Sequence, residues 1–189
     1  SLYKREPKLK VYPVTVVNLL GKYGDFENDA NANGYADGWD LHRPSVASLS
    51  PTKTVIGSKS QHLLSQDIDG GKSVTSTVST FLVFTANQTY FASIWAYSNK
   101  PLYLTWVYSY TTPSQNFYLY GDKTPNRFNR HYGSLTPTNG NSAILFYYKA
   151  DGEFSDFELW FDGAMVVNLT RMGVLPPPLK EYFNNVPST

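Results

Sequence analysis

Apolar and polar residues alternate in short runs along most of this chain, and Gly, Pro, Asn and Asp break the runs apart. The β-branched run VTVVNLL, residues 14–20, reads as a strand. SVASLS (45–50) and KTVIGSKS (53–60) are short strands separated by Pro51 and interrupted by Gly57. SQHLLSQDI (60–68) is a strand closed by the turn DGG, and KSVTSTVSTFLVF (72–84) is the next. TYFASIWAYS (89–98) follows the turn TANQ. In KPLYLTWVYSYT (100–111) the alternation puts Leu102, Leu104, Trp106, Tyr108 and Tyr110 on one face, and Tyr103, Thr105, Val107 and Ser109 on the other. FYLYG (117–121), SAILFYYKA (142–150) and FELWFDGAMVVNLT (157–170) complete the set, the last with a bend at Asp162-Gly163. Nowhere does a 3.6-residue period persist. About eight to ten short strands with regular turn signals predict an all-β fold, an antiparallel β-sandwich of the jelly-roll type in a single domain.

The length fits one such sandwich with short extensions: 189 residues bury roughly 70% of the surface of the unfolded chain. The sandwich is expected over residues 14–170. Residues 1–13, with Lys4, Arg5, Lys8 and Lys10, read as a basic linker from an upstream region; residues 171–189 read as a Pro-rich tail carrying a short helical turn. With 15 Tyr and 4 Trp beside Thr, Ser and Asn, the composition is that of strands and turns. A net charge of +1 gives no electrostatic footprint for nucleic acid. The absence of cysteine excludes disulfides, thiolate metal sites and a cysteine nucleophile, and no apolar run is long enough for a helical membrane span.

The segment NLLGKYGDFENDANANGYADGWDL, residues 18–41, gathers Asp25, Glu27, Asp29, Asp37 and Asp40 with one basic residue. Three readings are open: a metal loop, a catalytic carboxylate cluster, or a solvated turn. The spacing is not that of a helix-flanked calcium loop, which needs Gly at its sixth and Glu at its twelfth position. A second acidic group, Asp151, Glu153, Asp156 and Glu158, falls around a turn. His42, His62 and His131 are scattered, with His42 and His131 read as loop residues and His62 as a strand-surface residue, and no hydrolase signature accompanies them. Binding is the chemistry the composition favours. A sugar ring offers an apolar C–H face to an aromatic plate and hydroxyls to Asn, Gln, Asp or Arg. The candidate contacts are Tyr97, Tyr103, Tyr118, Arg127, Arg130, Tyr132 and Trp160, with residues 121–134 as a recognition loop at one end of the sandwich. Trp39 is expected as a core anchor, and Trp95 and Trp106 as core. Trp160, between Glu158 and Asp162, is expected to be exposed.

Two stretches together carry a family resemblance. Asn18-Leu19-Leu20, then Gly24-Asp25-Phe26-Glu27, then Gly38-Trp39 resemble the opening of carbohydrate-binding modules of the 4/9/22-like jelly-roll group. FDGAMVVNLT is similar to the last strand of that fold as it occurs in bacteriophage tail and minor structural proteins. The resemblance implies a non-catalytic domain of a phage tail or baseplate, extracellular on the virion, attaching to a host cell-wall polysaccharide. Other virion proteins, or further copies in a homo-oligomer such as a trimer, would be its partners. The alternatives are an ancillary module of a secreted glycoside hydrolase and a purely structural or oligomerising tail domain. It further implies a structural calcium tying Glu27 to Asp162. Against it stands the simpler reading, in which Glu27 accepts backbone N–H bonds and the Asn and Asp residues build Asx-turns. The chain departs from the family in following Leu20 with Gly21-Lys22-Tyr23-Gly24, and in having Gly163 where a second acid commonly follows Asp162.

Overall fold

The computed structural model describes residues 16–44, 46–65, 67–79, 81–111, 113–141 and 143–172; the expected basic linker and all of the tail beyond residue 172 lie outside them. After a single 3-10 turn, Gly21–Asp25, the strands are β1 (Trp39–His42), β2 (Val46–Ser50), β3 (Ser60–Ser65), β4 (Asp67–Asp69), β5 (Lys72–Ser79), β6 (Tyr90–Ser98), β7 (Leu102–Tyr110), β8 (Gln115–Tyr118), β9 (Phe128–Leu135), β10 (Ala143–Ala150) and β11 (Phe157–Asn168). They form two antiparallel sheets. The first runs β1-β5-β10-β7-β8 with β4 also paired to β5, and the second runs β2-β3-β11-β6-β9. The protein is an all-β jelly-roll sandwich, as its sequence predicts. Among the described residues no helix is long and apolar enough to cross a membrane.

Alternation decides what lies between the sheets. Val107, Phe146 and Tyr148 of the first sheet meet Leu63, Ile94, Leu159 and Phe161 of the second, all fully buried. One end of this core is closed by Phe26 stacked on Trp39, ring centroids 4.8 Å apart. The Trp39 indole N–H donates to the Tyr23 carbonyl at 2.6 Å, which makes Trp39 the anchor expected of it. The bend in β11 falls where Asp162-Gly163 places it, as a bulge between Asp162 and Met165, with Gly163 at φ 53°.

Several expected elements differ. Residues 16–20 form no strand. Asn18 lies against β11 through its side chain, donating to the Ala164 carbonyl and accepting from the Val166 N–H, each at 3.0 Å. The chain then turns away at Gly21, φ 54°. The long strand expected over 72–84 stops at Ser79; beyond it Phe81 and Val83 are exposed while Leu82 and Phe84 are buried. β1 and β9 occupy stretches expected to be loops, and they put His42 and His131 on strands. Most consequential is β7. Val107, Thr105 and Ser109 point into the sandwich, and Trp106, Tyr108 and Tyr110 point out of it. The larger residues were expected inside; the register pairs Val107 with Phe146, which sits in the core, and so reverses the assignment from Leu104 to Tyr110, while Leu102, beyond a shift in the register, stays in the core.

Candidate functional site

The outer face of the first sheet carries a second apolar layer. Paired residues of antiparallel strands share a face, so the register gives one row across the sheet, His42–Ser76–Tyr147–Trp106–Tyr118. The neighbouring row is Asp40–Val78–Leu145–Tyr108–Asn116. Val74, Val78, Leu145 and Tyr147 are buried beneath Trp106, Tyr108 and Tyr110, which are half-buried. Above them opens a concavity of about 280 Å³, walled by the three aromatics with His42, Arg43, Asp69, Asn116, Leu145 and Tyr147.

Its rings are mutually braced. Trp106 packs on Tyr147 at 4.2 Å, Tyr108 meets Tyr110 edge-on at 5.2 Å, and His42 meets Tyr110 edge-on at 6.2 Å. The Tyr110 hydroxyl and His42 Nδ1 lie 3.3 Å apart. At the β4 end the Tyr147 hydroxyl donates to Asp69 at 3.2 Å, and Lys149 reaches the same carboxylate at 3.0 Å. Arg43 lies 3.2 Å from Asp67 and 3.9 Å from Asp69. Two acids and two bases thus cancel at this end of the cleft. The hydrogen bond from Lys149 holds Asp69 below the usual carboxylate range, outweighing its slight burial. Burial pushes Tyr147 up to about 12, with the Asp69 charge adding to the effect and Arg43 opposing it. Burial, and then Arg43, lower His42 below its ordinary value. At neutral pH the walls therefore offer the Tyr147 hydroxyl, a neutral imidazole and the Asn116 amide beside the paired charges of Arg43 and Asp69. Trp106 Nε1 is buried without a hydrogen-bond partner among the described residues.

Tyr118 continues the central row past Trp106 to the sheet edge, 58% exposed. The other candidates lie elsewhere. Tyr103 is exposed at the start of β7, where the register with β10 shifts, with the Lys72 ammonium over its ring at 4.8 Å, and it does not line the cleft. Arg127 pairs with Asp122 on an exposed loop. Tyr97, Arg130, Tyr132 and Trp160 face outward from the second sheet, so the structure splits the expected recognition loop: Phe128–Leu135 is β9 of that sheet. Trp160, expected to be exposed, is 6% exposed. His62 stacks on it at 4.3 Å, the Lys53 ammonium sits 3.8 Å from its ring centre, and Tyr97 meets it edge-on at 5.4 Å. Trp95, expected as core, is half-buried on the same outer face. His42, read as a loop residue, and Trp106, read as core, line the cleft with Tyr108 and Tyr110 of the same β7 face and with Tyr147, which the sequence reading did not single out. Their signal was the contrast within β7, three large aromatics against Thr105, Val107 and Ser109.

The implied metal residues sit on the rim between the sheets. Glu27 Oε1 accepts the Ser58 and Lys59 N–H groups at 2.6 and 3.0 Å, and its Oε2 accepts the Ser58 hydroxyl at 2.7 Å. Asp162 Oδ2 accepts the Val55 and Ile56 N–H groups at 2.5 and 2.9 Å, and its Oδ1 accepts the Gly163 N–H at 2.7 Å. Burial raises Asp162, outweighing the three amides, and the Glu27 charge adds to the push. Glu27 is lowered: burial pulls it upward, and the bonds from Ser58 and Lys59 together prevail. Calcium needs six to eight oxygen lone pairs directed at it. Here each carboxylate oxygen faces a hydrogen donor, and no cluster of three or more His, Cys, Asp or Glu suited to a metal occurs among the described residues. As placed, these groups do not fit a calcium ligand set. In the rest of the acidic segment Asp25, Asn31 and Asn33 build Asx-turns, accepting the Glu27, Asn33 and Tyr35 N–H groups, and Asp29 closes the loop by accepting those of Asn33 and Gly34.

Neither the family models nor the curated proteins contain a match to this sequence. Solved structures do match its fold. The CBM22-1 xylan-binding domain of Paenibacillus barcinonensis Xyn10C superposes with a TM-score of 0.57 at 12% identity, covering 77% of this chain and 91% of that one. The C-terminal family 22 carbohydrate-binding module of Clostridium thermocellum Xyn10B gives 0.54 at 14% identity, over 77% of this chain and 95% of that one. The CBM22-1–GH10 modules of C. thermocellum Xyn10B, complexed with xylohexaose, give 0.55 at 12% identity over 82% of this chain and 28% of that one. The architecture is that of the carbohydrate-binding-module jelly rolls.

Proposed function

We propose that this chain is a non-catalytic carbohydrate-recognition domain that holds a polysaccharide in the cleft of its first sheet. The observation that carries the reading is the aromatic row Tyr147–Trp106–Tyr118 in a concave face whose charged groups are confined to the balanced ion cluster at one end. Such a surface stacks on the C–H face of a sugar, while Tyr110, His42 and Asn116 meet its hydroxyls. Catalysis by a carboxylate pair is disfavoured, because Asp69, which lines the cleft, is held ionised and occupied by Lys149 and Tyr147. The fold shared with a xylan-binding domain supports a linear polysaccharide as the ligand class.

Two settings suit such a domain. Similarity of FDGAMVVNLT to phage tail proteins favours attachment of a virion to a host cell-wall glycan, where many copies, as in a trimeric tail protein beside other virion proteins, multiply a weak single-site affinity. The match to modules of xylanases favours an ancillary domain of a secreted glycoside hydrolase. Affinity electrophoresis through gels containing bacterial wall polysaccharides, xylan or plant β-glucans separates them. Retardation by a wall polysaccharide supports the first setting and retardation by xylan or glucan the second. Free migration in every gel, with no binding by calorimetry, refutes carbohydrate recognition.

A further inference from the structure

The strap of residues 55–59 joins the opening loop to the last strand through both carboxylates at once. Its backbone donates to Asp162 at Val55 and Ile56, and to Glu27 at Ser58 and Lys59. Gly57 stands between the two pairs at φ +66°, and a Cβ built there would lie 2.1 Å from Glu27 Oε1. The glycine therefore serves two needs: it takes the left-handed backbone that turns successive N–H groups to one side, and it leaves room for the carboxylate to close on them. The result is a concave nest of amides filled by two side-chain anions.

We infer that this nest replaces a metal: in this chain the first loop and the last strand are fastened by an anion–amide clamp that works without calcium. The donors supply the positive potential that a cation would otherwise supply to two neighbouring acids. N–H groups converging on the same oxygens also repel a cation approaching them. The clamp depends on both acids being anions and on residue 57 lacking a side chain.

Thermal melts of the wild type in calcium and in chelator, with Glu27→Gln and Gly57→Ala beside it, test the clamp. The wild-type Tm is expected to be the same in both buffers. Glu27→Gln places an NH₂ against the Ser58 hydroxyl and removes the charge, and is expected to lower Tm by roughly 5 °C equally in both. Gly57→Ala keeps both acids and forces a Cβ onto Glu27, and is expected to lower Tm by a similar amount. A calcium-dependent rise of several degrees in the wild type that disappears in Glu27→Gln overturns the inference. An unchanged Tm in both variants overturns it too, since the clamp would then fasten nothing.

Discussion

Trp106 and Trp160 show how burial and role come apart at the level of a single side chain. Both sit mid-strand among residues of mixed polarity, and both leave an indole N–H without a partner among the described residues. Trp106 forms part of a wall of the cleft; Trp160 is closed over by His62 and Lys53. Trp160→Ala is expected to cost about 3 kcal/mol of stability by urea unfolding, as a cavity does under a packed ring, and to leave glycan binding intact. His131 is a second residue whose neighbourhood fixes its behaviour. Its Nδ1 meets the Tyr148 hydroxyl at 2.9 Å and its Nε2 the Asp122 carbonyl at 2.8 Å, and burial pushes its pKa down to about 4. The unfolded chain takes up a proton at this residue below about pH 6.5, and the folded chain refuses it until about pH 4. The stability His131 confers is thus fully present above about pH 6.5 and is lost as pH falls through that window, about 3 kcal/mol in all. Urea unfolding at several pH values should show this slope in the wild type and a shallower one in His131→Gln. An equal slope in both would place the acid sensitivity elsewhere.

At the scale of elements, the sequence announced most strands and misassigned the faces of the decisive one. β-branched runs located β5, β6, β10 and β11 because their side chains pack on at least one face, and a bend was legible in Asp162-Gly163. β1 and β9 were not legible. Trp-Asp-Leu-His and Phe-Asn-Arg-His-Tyr-Gly-Ser-Leu carry the polar and glycine content of loops, and they become strands because β5 and β6 offer them open edges. The face of β7 was misread because hydrophobicity alone ranks Trp and Leu as more buried than Thr, Val and Ser. The interior at β7 needs small side chains opposite Phe146 and Tyr148, and the outer face uses the aromatics. Tyr118 was the one contact candidate on the cleft's row, read from its alternation against leucine. If the row defines the ligand path, Tyr118→Ala weakens binding of long oligosaccharides several-fold, about 1 kcal/mol, and leaves short ones unaffected. Tyr103→Ala, outside the lining of the cleft, leaves both unchanged in calorimetric titrations.

On the scale of the whole molecule, the outer faces of the two sheets are built in opposite ways. The outer face of the second is covered at its centre, where the ladder His62–Trp160–Tyr97–Phe128 lies partly under Lys53. The outer face of the first is left concave, with an aromatic lining and an ion cluster of balanced charge at one end. Chain ends of the described fold are drawn together at β11, through Asn18 beside it and through the strap that Glu27 and Asp162 hold. That arrangement leaves the cleft's five strands free of the fastening, so loss of the clamp should lower Tm without altering ligand affinity in the folded protein. The fold class was readable from strand rhythm alone. The site was not, because it depends on which side of each strand faces its partner sheet, and periodicity gives two faces without saying which is inside.

The measurement that tests the cleft assignment most directly is a tryptophan-fluorescence titration with a polysaccharide that retards the wild type, run in parallel on Trp106→Ala and Trp160→Ala. The account predicts a saturable change in the wild type and in Trp160→Ala with similar affinity. In Trp106→Ala it predicts affinity weakened at least about tenfold, with the fold retained by circular dichroism. Unimpaired binding in a folded Trp106→Ala, or loss of binding in a folded Trp160→Ala, would contradict it and move the ligand to the other sheet.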